Sequence, residues 1–198
     1  VPFFLTSLGL VKGLQKCYVE SSEMLNDAIA KFDYLGGSNT FGKAIVYGFL
    51  GTVLRRQGYL DDSENYLERS LSLKQGAKMM GGVPELHNWL GELYEVRAKR
   101  EESPERVKLL AIAEEHYQHS LELRWTGRRH YECIALTGLA RVRHAIGDIE
   151  SASNLVMEAE KIAETHGYYD CLTSLKLTQA DIVWDGQNEN WGKGFDYT

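Results

Sequence analysis

The chain has 198 residues, 43% of them hydrophobic and 25% charged, which is the composition of a folded protein with a sizeable core rather than of a disordered one. Its net charge of -6 counts against non-specific nucleic-acid binding, which needs clustered Lys and Arg to neutralise phosphates. No run approaches the eighteen apolar residues of a bilayer-spanning helix, so neither nucleic acid nor membrane is expected as a partner.

Apolar residues recur at helical spacing almost throughout, and only three prolines interrupt them. The chain therefore reads as all-α. Helices are expected in pairs near 2-35, 43-76, 84-125 and 129-166, followed by a ninth helix over 169-185 and a polar, Gly-rich tail over 186-198 in which Trp191, Phe195 and Tyr197 could dock elsewhere. The opening segment VPFFLTSLG carries no initiator Met and no targeting pattern, and is read as part of a larger polypeptide.

Between the first two pairs lies GGSNTFGKA. Gly37, Gly42 and Lys43 stand at the spacing of a phosphate-cradling loop, but Ala44 replaces the hydroxyl that would hold magnesium, and a helix precedes the loop where a strand is required. It is expected to be an inter-repeat turn in which Gly36 or Gly37 ends the helix. The second helices of the pairs repeat one another. SENYLERSLSLK (63-74) and AEEHYQHSLELR (113-124) align with Leu67 on Tyr117, Ser70 on Ser120 and Leu71 on Leu121, and SASNLVMEAEKI is a third copy. Each follows a helix with a small residue in its middle, Gly9, Gly51, Gly91 or Ala140. Gly36 and Gly76 are 40 residues apart, as are Gly127 and Gly167, whereas Gly76 to Gly127 is 51, which places an insertion of about ten residues around Pro104.

On these residues the chain resembles the tetratricopeptide repeats. The second pair carries Tyr47, Leu50, Gly51, Leu54, Gly58, Leu60, Ser63, Leu67, Ser70 and Leu73 at that family's consensus positions, and the fourth carries Leu139, Ala140, Gly147, Ile149, Ala152 and Ala159. The first pair departs, with Lys12 at an aromatic position and Lys16 at the turn glycine. The resemblance implies a right-handed helical-repeat solenoid of about four pairs, whose first helices line a concave groove for a protein or peptide. Carried onto matching positions, the groove holds Ile45, Gly48, Thr52 and Arg55 from the second pair. The third supplies Glu85, Asn88, Glu92 and Glu95, and the fourth Ile134, Thr137, Arg141 and His144. Thr52, Arg55, Asn88, Glu92, Thr137, Arg141 and His144 are thus the expected ligand-binding residues, with arginines flanking an acidic middle. Thr6, Leu10, Gly48 and Thr52 stand where chaperone-tail-binding members hold a carboxylate, so that clamp is missing.

Chemistry finds little support in the sequence. His116 and His119 lie three apart beside Glu114 and Glu115, but no third ligand is evident, and no metal or cofactor is expected. The three cysteines, Cys17, Cys133 and Cys171, are far apart and read as buried small hydrophobes of a reducing, cytoplasmic protein. No nucleophile stands in a recognisable frame, so the chain is not expected to be an enzyme. The segment RWTGRRHYE clusters Trp125, Arg128 and Arg129 as a possible interaction loop. A period near 40 residues with glycine-bearing turns further resembles the C-terminal arrays of bacterial signal-transduction ATPases with numerous domains, the STAND class. That resemblance implies a sensor module acting on other domains of the same polypeptide. A constitutive assembly scaffold and a peptide-sensing regulator are the alternatives.

Overall fold

The computed structural model describes residues 1–35, 39–123 and 129–193, with side chains as far as residue 184. Among the described residues there are nine helices and no strand: α1 (Pro2–Leu14), α2 (Tyr18–Tyr34), α3 (Thr40–Gln57), α4 (Leu60–Gly76), α5 (Val83–Ala98), α6 (Glu105–Glu122), α7 (Arg129–Ala145), α8 (Ile149–His166) and α9 (Tyr169–Lys193). The helices begin and end where the local chemistry dictates. Asn39 caps α3 by accepting from the Gly42 N–H at 3.0 Å, and Asp148 caps α8 by accepting from Ser151 at 3.2 Å. Gly58 (φ 90°) and Gly167 (φ 69°) end the same two helices in the left-handed conformation.

Within the first unit α1, α2, α3 and α4 pack each on the next, as α6, α7, α8 and α9 do in the second, and α1 also touches α3 as α7 touches α9. This is the packing of a helical repeat. Its repeating joint is visible at atomic level. Ser21 donates its hydroxyl to the Gly9 carbonyl at 2.7 Å, and Ser63 donates to the Gly51 carbonyl at 2.8 Å, each across twelve residues. A Cβ on Gly51 would stand 2.7 Å from Leu67 Cγ, and one on Gly9 would stand 2.9 Å from Leu25 Cγ. The absent side chain lets the second helix of each pair close on the first, and the serine satisfies a carbonyl that this approach would otherwise strip of water. In α7 and α8, Ala140 and Ala152 keep the spacing without the hydroxyl.

The chain forms two compact units, Val1–Leu93 and Tyr94–Thr198. In the first, Leu25, Ala28, Phe32, Val46 and Leu50 are fully buried in one cluster. In the second, Leu110, Ala113, Tyr117, Leu139 and Val142 form one core, and Leu136, Val156, Ala159, Ile162, Leu175 and Ile182 form another. Burying a side chain of this size contributes roughly 1.5–3 kcal/mol.

Helix α4 ends at Gly76, the expected end of the second pair, and Lys78 follows it with φ 54°. Helix α9 continues to Lys193, past the end expected at 185. The link between α5 and α6 is 99–104, against 58–59 between α3 and α4, so it holds only part of the expected insertion, with Pro104 at the N-cap of α6. Gly36, Gly37 and Gly127 lie outside the described residues. Of the phosphate-loop lookalike, Gly42 and Lys43 are inside α3. Lys43 forms an ion pair with Asp33, and Gly42 packs on the Phe32 ring.

Candidate binding cleft

The first helices of successive pairs, α1, α3 and the part of α5 in the first unit, enclose a cleft of about 530 Å³. Its floor is aromatic. Phe49 of α3 and Trp89 of α5 meet with ring centroids 5.9 Å apart at 48°, and Trp89 packs over Gly48, where a Cβ would stand 3.0 Å from the indole. Tyr18 and Leu10 extend this surface, and Leu14, 76% exposed, stands at the rim. Lys16, Arg55 and Arg56 face Glu85 and Glu92 around the edge.

The charges are not all available. Arg55 donates through Nη2 to Glu92, and both side chains are largely buried, so this pair is the wall of the cleft rather than a loose surface charge. The Arg55 Nε is buried without an acceptor, a deficit worth about 1–3 kcal/mol until something supplies one. Arg56, one residue on, is exposed at the cleft edge. Thr52 lines the cleft, and its hydroxyl donates to the Phe49 carbonyl at 2.8 Å.

In the second unit the expected groove residues do something else. Arg141 grips Glu95 with both arms, Nε to Oε2 at 2.8 Å and Nη2 to Oε1 at 2.7 Å. The hydroxyl of fully buried Tyr117 donates to the same carboxylate and accepts from Arg141 Nη2 at 3.2 Å. Helices α5, α6 and α7 are thus tied by one charge-assisted network whose members satisfy one another. The arginine read as a ligand contact is a structural clamp. Asn88 and Thr137 also depart from expectation. They are 1% and 2% exposed, and Thr137 donates back to the Cys133 carbonyl at 2.8 Å. An interior position of a close-packed helix serves its neighbours first. His144 is half-buried in the last turn of α7.

No family model matches the sequence, and no curated protein matches it significantly. Among solved structures the chain is similar to the crystal structure of BtubC (BKLC) from P. vanneervenii, with a TM-score of 0.65 and 12% identity over 98% of this chain and 82% of that one. Identity at that level speaks for fold alone. It agrees with the helical-repeat, all-α architecture seen in the packing.

The remaining expected sites divide by place. Trp125 and Arg128 lie outside the described residues. Arg129 is 57% exposed and reaches Glu132 at 3.7 Å. His116 stacks on Tyr94 with centroids 5.6 Å apart, while His119 turns to Glu122 at 3.0 Å and Glu115 at 3.6 Å, so the two imidazoles are engaged separately. Ligand-type side chains gather elsewhere instead, at His130, Asp170 and Cys171, forty residues apart in sequence and invisible to a search for local spacing. No described helix is long and apolar enough to cross a membrane.

Proposed function

We propose that the chain is a protein- or peptide-binding repeat module of tetratricopeptide type, working as the ligand-sensing part of a larger signalling polypeptide of the STAND class. The observation that carries this reading is the cleft of the first unit, where three first helices converge on an aromatic floor edged by Arg55, Arg56, Lys16, Glu85 and Glu92. A cavity with an apolar floor and a few placed polar groups is the usual form of a recognition site. Phe49, Trp89 and Leu14 suit an apolar anchor side chain of an extended peptide, and Arg56 and Lys16 suit a neighbouring carboxylate. In this reading the chain contributes binding and not catalysis, and the response belongs to other domains of the polypeptide.

The test is a random-sequence peptide array probed with the whole chain, followed by titration of the best peptides. Two variants at exposed cleft positions, Leu14→Asp and Arg56→Glu, leave the core intact. Saturable binding that each variant weakens tenfold or more supports the cleft as the ligand site. Affinities equal to the parent's in both variants exclude it.

A further inference from the structure

In the second unit, two stretches of chain bring four side chains of metal-ligating type to one place. His130 and Cys133 stand three residues apart on α7 and therefore share a face, while Asp170 and Cys171 are consecutive in the first turn of α9. One ligating atom from each of His130, Asp170 and Cys171 lies within 4.8 Å of the other two. His130 Nε2 is 2.7 Å from Asp170 Oδ2, and Tyr168 packs edge-on against the imidazole at 5.1 Å, fixing its orientation. Cys133 adjoins Cys171, and its thiol donates to the Ala159 carbonyl at 3.5 Å. Both cysteines are free and buried.

We propose that His130, Cys133, Asp170 and Cys171 bind one divalent cation of the zinc class in tetrahedral coordination. Two sulfurs, one imidazole and one carboxylate are the donor set such an ion prefers, whereas calcium and magnesium need a shell of oxygens that one carboxylate does not supply. With bonds of about 2.0–2.3 Å the donors of a tetrahedral site stand roughly 3–4 Å apart, so the most distant donors must approach by up to about 1 Å while His130 and Asp170 part slightly from their 2.7 Å contact. The side chains free to move are the right ones. Asp170 is 69% exposed and His130 34%, which also opens a path from solvent, while the thiols form a fixed floor. On binding, both thiol protons leave to solvent, and the neutral imidazole donates its lone pair at Nε2 in place of its bond to Asp170.

The decisive experiment adds Co²⁺ to the fully reduced whole chain and records its spectrum, then displaces the cobalt with Zn²⁺. The expected result is one equivalent of cobalt with an intense sulfur-to-metal charge-transfer band and the strong visible bands of tetrahedral cobalt, both removed by zinc. The double variant Cys133→Ser/Cys171→Ser abolishes the band. Because buried thiol changes can disturb folding, His130→Ala, made at a partly exposed position, is measured beside it at unchanged helix content and binds at least tenfold more weakly. His116→Ala/His119→Ala binds as the parent does. A weak octahedral spectrum, no charge-transfer band, or a band that persists in the double cysteine variant or at full affinity in His130→Ala overturns the proposal.

Discussion

Lys16 carries φ 64° in the turn between α1 and α2, where the equivalent turns of the second and fourth pairs hold Gly58 at 90° and Gly147 at 87°. A side chain in the left-handed region costs about 1–2 kcal/mol, and glycine's extra freedom in the unfolded chain returns about 0.4–1 kcal/mol of that. Lys16→Gly is therefore expected to stabilise the fold by roughly 0.5–1 kcal/mol in denaturant titration, and a lower midpoint would show that the lysine contributes more than its backbone strain. A second residue-level expectation concerns acid. The hydrogen bonds from Ser151 hold the Asp148 carboxyl below the ordinary aspartate range. A carboxylate depressed in the folded state stabilises fully above its unfolded pKa, about 3.9, and loses that contribution as pH falls through the folded value. Asp148→Ala should lower the melting temperature at neutral pH, and the gap between variant and parent should close as pH drops below about 4; a gap independent of pH would remove the carboxylate from the cap.

Helix pairing tests the balance between propensity and packing. Alanine in place of glycine within a helix gains about 0.5–1 kcal/mol from propensity, while overfilling a close-packed joint costs about 1–3 kcal/mol. At Gly76 a Cβ meets nothing within 4 Å, so Gly76→Ala should be neutral to stabilising. At Gly51 it meets Leu67 Cγ and, at 3.1 Å, the Ser63 carbonyl, so packing wins and Gly51→Ala should destabilise by about 1–2 kcal/mol in the same denaturant series. The helix pairs were legible in the sequence for this reason: small residues facing Leu and Ser at fixed offsets are the joint itself. What stayed hidden depends on backbone geometry or long separation. The repeat register put Lys16 at a turn-glycine position, but the polar run after Trp184 offers no apolar period from which to read the continuation of α9.

Across the whole chain, the expected groove residues separate into two kinds, and their partners decide which. Arg55 and Glu92 are 37 residues apart and Glu95 and Arg141 are 46 apart, so positional rules could place all four on first helices but could not show that they neutralise each other. Asn88 and Thr137 met the same limit, since a position facing a groove in one repeat faces a neighbouring helix in another. The partners of Arg141, Glu95 and Tyr117, belong to Tyr94–Thr198, whereas every residue of the cleft belongs to Val1–Leu93. Changes with no shared partner act additively. Removing Arg141 strands a carboxylate only 9% exposed. Arg141→Ala is accordingly expected to cost roughly 2–3 kcal/mol of stability, below the full value for a buried pair because the arginine is partly solvated, with peptide affinity at the cleft unchanged. Arg56→Glu should do the reverse, leaving the unfolding midpoint in place and weakening peptide binding, more at low salt than at high salt. If Arg141→Ala abolishes binding while the chain remains folded, recognition extends into the second unit, and the clamp must be counted as part of the ligand site.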